Sequence, residues 1–263
     1  ARFYSAYSLA EKELLEWLEA ENINCDLTKG NSYLGSLTKN DQETKREWKI
    51  LERMGNRASW VDEATAKINT LPFGVAVRFV EEGVCNPRAL LYLLLAKINK
   101  DKLRVYEDSE IVDINIGEKV SIATSGGSIV ASQIVLATET PPSFFRELDD
   151  LARPTQMRCL SLSFDKLPLP QGIFWGIGEP HWCFRSIDDK AVALEMEKVG
   201  RRDISRLKLT EMLKDIFHRP FTIEDSWSGG ILKTQDGLPY VFDHPHYRGK
   251  VLVALGFARN TIV

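Results

Sequence analysis

The chain is poor in cysteine and histidine. It has no long apolar run, no excess of either charge and no glycine-rich nucleotide turn. Its four cysteines, Cys25, Cys85, Cys159 and Cys183, include no C-x-x-C pair, which argues against a zinc knuckle or a redox dithiol. Reduced thiols in the cytoplasm are the expected state. His181, His218, His244 and His246 make no metal set. Asp243-His244-Pro245-His246 lacks a third ligand nearby and reads as a solvated loop between two strands, so no metal is expected. The longest apolar stretch, Ala89 to Ala96, falls well short of the roughly 18 residues needed to span a bilayer, and no secretory signal is visible. Lys and Arg number 34 against 37 Asp and Glu, a net charge of −3, so neither nucleic acid nor an anionic membrane is recruited by charge. The strand-to-helix G-x-G-x-x-G turn is missing too. Its nearest approach is Gly176-Ile177-Gly178, where His181 holds the third glycine position and no long helical pattern follows.

What remains is ordinary globular material, 44% hydrophobic and 27% charged over 263 residues, enough for one large domain or two ordinary ones. Leu14, Leu15 and Leu18 give residues 9–20 an amphipathic helical face. A strand over 32–37 follows a turn at Lys29-Gly30-Asn31. Thr38 or Asn40 caps a helix that ends at Gly55. Residues 75–80 are β-rich, and Pro87 opens a helix to about residue 100 because its missing N–H would be unpaired there anyway. Short β runs follow over 103–106, 111–116, 120–124, 128–131 and 133–137, with a hairpin at Ser125-Gly126-Gly127. Pro141-Pro142 starts a short helix to about residue 148. Strands alternate over 157–196, a helix covers 203–218, and a long strand covers 221–233. Charge runs such as Glu11-Lys12-Glu13 read as solvated faces.

The last third is the most specific. Trp227-Ser228-Gly229 leads along a strand to Thr234-Gln235-Asp236-Gly237, a turn, with Pro239 beyond it. The apolar run from Lys250 to Leu255, bounded by Gly249 and Gly256, suits a strand covered on both faces. Ligands of α/β sheets sit outside the carboxyl ends of such strands. The two segments resemble the closing motifs of the D-amino acid oxidase and glycine oxidase family of FAD-dependent oxidoreductases, W-x-G-x-x-x-x-T-x-D-G-x-P followed by an apolar strand and a glycine loop. Glu82 to Leu90 is similar to that family's entry to its middle FAD-domain helix, and Ile134 to Thr138 to its strand-end Ala-Thr. The resemblance covers roughly residues 75–263.

The resemblance implies an α/β fold in which an incomplete Rossmann-like FAD part, 83–140 with 236–263, interleaves with a substrate part, 1–82 with 141–235. The substrate part would be built on a large mixed, mainly antiparallel β-sheet flanked by helices. With the family's G-x-G-x-x-G unit missing, the chain reads as an interior piece of a longer protein, inactive by itself. The implied activity is oxidation of the C–N bond of an amine or amino acid by hydride transfer to FAD, with dioxygen or another electron acceptor. The flavin is the oxidant, so no catalytic residue is singled out.

For the cofactor, the resemblance points to Ile111 beside adenine, to Ala137 and Thr138 at the nucleotide, and to the closing loop Gly256, Phe257, Ala258, Arg259, Asn260, Thr261 and Ile262. Phe257 and Thr261 depart from the family's G-H-[FY]-R-N-G-I. Arg259 could pair with a substrate carboxylate, or be a surface arginine. The family's second arginine would fall at Ile231, which cannot hold a carboxylate. Arg185 is the substitute substrate-binding candidate, against an ordinary surface role. Trp60, Trp175, Trp182 and Tyr33 could wall a cavity or be plain core. A flavin-free binding or assembly module and a 2-hydroxy acid oxidoreductase remain the alternatives.

Overall fold

The computed structural model describes residues 2–36, 41–55, 58–98, 102–138, 145–177, 181–187, 190–198 and 206–257. In chain order its elements are α1 (Arg2–Ala20), β1 (Thr28–Gly35), α2 (Gln42–Met54), β2 (Ala58–Val61), α3 (Glu63–Ile68), β3 (Ala76–Val84) and α4 (Pro87–Lys97). There follow β4 (Ile111–Ile116), β5 (Val120–Thr124), β6 (Gly127–Ala131), β7 (Ile134–Leu136), β8 (Ala152–Ser163), β9 (Gly172–Gly176), β10 (His181–Ile187) and β11 (Lys190–Lys198). The chain closes with α5 (Arg206–Phe217), β12 (Thr222–Thr234), β13 (Tyr240–Asp243) and β14 (Val251–Leu255). It is a mixed α/β fold whose largest element is an eight-stranded mixed sheet, in the order β12-β8-β11-β10-β9-β1-β3-β2.

Two compact units divide the chain. The first holds Ala1–Lys97, Met157–Ser228 and Ile262–Val263, the second Ile98–Gln156 with Gly229–Thr261. In the first unit, Phe174 of β9 stands beside Tyr33 of β1 in the parallel register, and their rings stack 5.2 Å apart. Phe73 and Trp182 join them, ring centres 5.3 Å apart, and Phe164, Phe184, Leu213 and Phe217 complete the core. Tyr33 and Trp182 are therefore core, 6% and 5% exposed. Their aromatic payload holds α5 and the sheet together.

Local sequence explains most boundaries. Gly55 takes a left-handed φ of +64° as the C-cap of α2, its N–H reaching Glu52 O, the usual way to end a helix. Asn86 Oδ1 accepts from the N–H groups of Arg88 and Ala89, each at 3.1 Å, and so caps α4 just before Pro87. Pairing overrides local signals elsewhere. Lys29-Gly30-Asn31 is not a turn: β1 begins at Thr28, and the register to β3 shifts between Gly30 and Ser32, a bulge that keeps the segment in the ladder. Residues 103–106 form no strand, with Val105 and Tyr106 exposed.

The second unit has one core. Val120 of the β4-β5-β6 meander packs with Ile134, Leu136, Val251, Val253 and Leu255 of the sheet β13-β14-β7, together with Phe145, Leu148 and Leu232. The expectation of a strand covered on both faces is corrected here. β14 alternates, with Val251, Val253 and Leu255 buried and Leu252 37% exposed. Val135, paired with Leu252, and Val241, paired with Ala254, share that open face at 61% and 62% exposure.

Candidate functional site

The Thr234–Leu238 loop is closed by its own polar groups. Gly237, at φ +74°, donates its N–H to Thr234 O. Thr234 Oγ1 donates to Leu238 O at 2.8 Å, and Leu238 N–H donates to Asp236 Oδ1 at 3.0 Å. The Asp-Gly pair thus supplies a side-chain acceptor and a left-handed residue, the two things such a turn needs. This loop fixes the next site residue. A Cβ on Gly256 would stand 2.3 Å from Thr234 Cγ2, and Gly256 has φ +75°, so only glycine fits there.

Gly256 ends β14, which runs parallel to β7 with Val253 opposite Leu136. Gly256-Phe257 and Ala137-Thr138 therefore leave the carboxyl ends of two adjacent parallel strands, the position at which α/β sheets receive ligands. Ala137 and Thr138 are exposed, and Phe257 is 44% exposed. Ile111 lies at the start of β4, paired with Thr124 and next to a register shift at Asp113; its side chain is 42% exposed. Ala258, Arg259, Asn260, Thr261 and Ile262 lie outside the described residues.

In the first unit Arg185 projects from β10, whose register places it opposite Ile173 of β9. It is half-buried, and its Nε is buried without a hydrogen-bond partner among the described residues. Burial pushes its pKa down, opposed by Cys85, Cys183 and Asp26. No ion pair joins it to a described carboxylate. Its Nε–H is thus a buried donor without an acceptor among the described residues, a costly condition. Ile231 is buried, 8% exposed, and has no means of holding a carboxylate.

Sequence reasoning missed three contacts. His244 is fully buried, so the solvated-loop reading is corrected at that residue, while Asp243, Pro245 and His246 are exposed. Its Nδ1 accepts from His246 N–H at 3.3 Å, and its Nε2 lies 3.0 Å from Glu147 Oε1. Nε2 nonetheless has no hydrogen-bond partner among the described residues. Glu11 is not merely solvated, because its Oε1 accepts from Gly83 N–H at 3.1 Å. A cavity of about 570 Å³ beside it is lined by Glu11, Lys12, Leu15, Phe79 and Glu82. The third brings Cys25 and Cys85 into one buried cluster. None had a local signal, since each pairs positions 60 or more residues apart.

Residues 1–262 match the family described as FAD dependent oxidoreductase, DAO. The chain belongs to the DAO family. Glycine oxidase from Geobacillus kaustophilus matches 98% of the chain and 74% of its own at a TM-score of 0.77 and 19% identity. L-proline dehydrogenase from P. horikoshii matches 95% and 72% at a TM-score of 0.77 and 14% identity. These likenesses show the fold. A curated relative, YhfW of Bacillus subtilis (strain 168), is named for a Rieske 2Fe-2S iron-sulfur protein and is 22% identical over 98% of this chain. The chain spans about half of that relative's length, 52%. As a DAO family member, the chain places its family motif, T-x-D-G with the closing glycine, in direct contact.

Proposed function

We propose that this chain forms the substrate cavity and part of the flavin site of an FAD-dependent oxidoreductase that oxidises the C–N bond of an amine or amino acid. The observation that carries the reading is Gly256, locked against Thr234 at the carboxyl ends of β14 and β7. An exposed strand end at which only glycine fits suits close approach of a flat cofactor. The FAD-facing residues are then Ile111, Ala137, Thr138, Gly256 and Phe257, continued by residues 258–262. FAD, when bound, supplies the two-electron oxidation. Residues 83–140 with 236–263 serve the cofactor, and residues 1–82 with 141–235 the substrate.

The chain's own residues bind and orient. Arg185, half-buried and unpartnered at Nε, holds the substrate carboxylate, and Arg259 is a second anchor from the closing loop. Apolar Ile231 leaves the family's usual anchor position vacant of charge, which favours a secondary amine or a larger amino compound. Losing a charge-assisted hydrogen bond costs about 1.5–3 kcal/mol. Arg185→Met should therefore raise KM for an amino acid roughly 10–100-fold while sparing amines without a carboxylate. An equal loss for both substrates would rule Arg185 out as the anchor.

The intact protein is tested by purifying it with its flavin and mixing it anaerobically with amines, amino acids and 2-hydroxy acids while following flavin bleaching. Bleaching by hydroxy acids alone, or a protein holding no flavin, would overturn the reading in favour of a 2-hydroxy acid oxidoreductase or a binding module. The acceptor is dioxygen or another oxidant. The iron–sulfur name of the Bacillus subtilis relative favours a second reading, an iron–sulfur centre that drains the reduced flavin. Stoichiometric peroxide release in air would exclude it.

A further inference from the structure

Cysteines scattered through the sequence meet in the first unit. Cys25 lies between α1 and β1, and Cys85 follows the end of β3. They are 0% and 6% exposed and share an apolar cluster with Leu18, Ile23 and Leu90. The two segments are held side by side by backbone groups. Thr28 pairs with Val84 at the end of the β1–β3 ladder, and Asn86 N–H donates to Cys25 O at 2.8 Å. Asn86 Nδ2 also donates to Asp26 Oδ2 at 3.2 Å. Within that frame both thiols belong to one buried cluster, near enough for Cys25 to raise the proton affinity of Cys85.

We propose that Cys25 and Cys85 are a modification site: exposed to a hydroperoxide, they form a reversible disulfide that ties the α1–β1 connection to the start of α4. Cys85, the more exposed of the two, attacks the peroxide oxygen. The O–O bond breaks, alcohol or water leaves, and Cys85 becomes a sulfenic acid. The Cys25 sulfur then attacks the Cys85 sulfur and displaces water. In sum, two thiols and one hydroperoxide give one disulfide, one alcohol and one water. The oxidant takes both electrons, and a dithiol reductant reverses the change.

The other two cysteines are differently placed. Cys183 is 2% exposed, and its Sγ donates to Phe184 O at 3.8 Å. Cys159 is 3% exposed with no thiol hydrogen bond among the described residues. Burial holds the Cys85 thiol up, to about 11, with Cys25 raising it further and Arg185 opposing. The first step is therefore slow at neutral pH and speeds up with alkali, since the thiolate is the nucleophile. Once Cys85 is oxidised, the neighbouring thiol is already in position.

The test treats the intact reduced protein with hydrogen peroxide, and in parallel with oxidised glutathione at graded ratios, for hours at pH 8.5. Remaining thiols are alkylated in denaturant and the protein is digested without reduction. The expected product is one linked peptide pair carrying Cys25 and Cys85, lost on adding dithiothreitol, with Cys159 and Cys183 alkylated. Cys25→Ser should abolish the linked pair and leave Cys85 as a sulfenic acid that dimedone traps. Full alkylation of Cys25 and Cys85 after every treatment, or a link from either one to Cys159 or Cys183, would overturn the proposal.

Discussion

At the scale of the residue, Gly256 carries two constraints that can be separated. Alanine there would incur the left-handed penalty of about 1–2 kcal/mol and push its Cβ into the Thr234 methyl. Gly256→Ala should destabilise by roughly 2–4 kcal/mol in chemical denaturation. Adding Thr234→Ser removes the methyl but keeps the hydroxyl bonded to Leu238 O, so the double variant should recover part of the loss. No recovery would mean that strain alone acts there. Glu82 gives a second residue-scale prediction. Burial, helped by the charge of Glu11, outweighs the Ser32 hydrogen bond and holds its carboxyl above the usual range. The folded state thus binds this proton more tightly than the unfolded state. That contribution is full below the ordinary glutamate pKa of about 4.3 and is lost as pH rises through the raised value. Glu82→Gln should match the wild type near pH 4 and be the more stable at pH 7 in urea titrations. An equal difference at both pH values would contradict this.

At the scale of the element, the β1–β9 pair carries the first core. Phe174 is fully buried between Tyr33 and Phe73, so Phe174→Ala should cost about 3–5 kcal/mol, checked by denaturant midpoints at constant m-value. Elements set by local chemistry were readable from sequence: α2 to its Gly55 cap, α4 from Pro87, the β4-β5-β6 meander, and the Thr-x-Asp-Gly turn. Elements decided by distant partners were not. β1 reaches back to Thr28 because β3 offers it a ladder, whereas residues 103–106 have strand composition and no partner strand. His244 looks like loop histidine until Glu147, far away in sequence, comes beside it. The candidate site divides the same way. Motif spacing pointed to Gly256, but the reason for glycine, the Thr234 methyl, exists only in three dimensions. Arg185 stood out as a charge on a strand, while its unpartnered Nε needed the fold.

At the scale of the whole molecule, the two largest clusters among the described residues are one aromatic and one aliphatic, and the strand end at Gly256 belongs to the second unit. No helix among the described residues is long and apolar enough to cross a membrane. The chain carries no G-x-G-x-x-G turn, the motif that receives a pyrophosphate at a helix N-terminus. The 263-residue polypeptide purified by itself should therefore retain little or no FAD, as read from its absorbance after desalting. A yellow sample with stoichiometric flavin would refute the division of labour proposed above.

The uncovered side of β7 and β14 has a practical bearing. Val135, Leu252 and Val241 form a greasy strip on water at a sheet that includes a parallel pair, and such pairs normally sit beneath further polypeptide. Expressed alone, the polypeptide would be colloidally unstable, clumping through this strip as it is concentrated, long before either core melts.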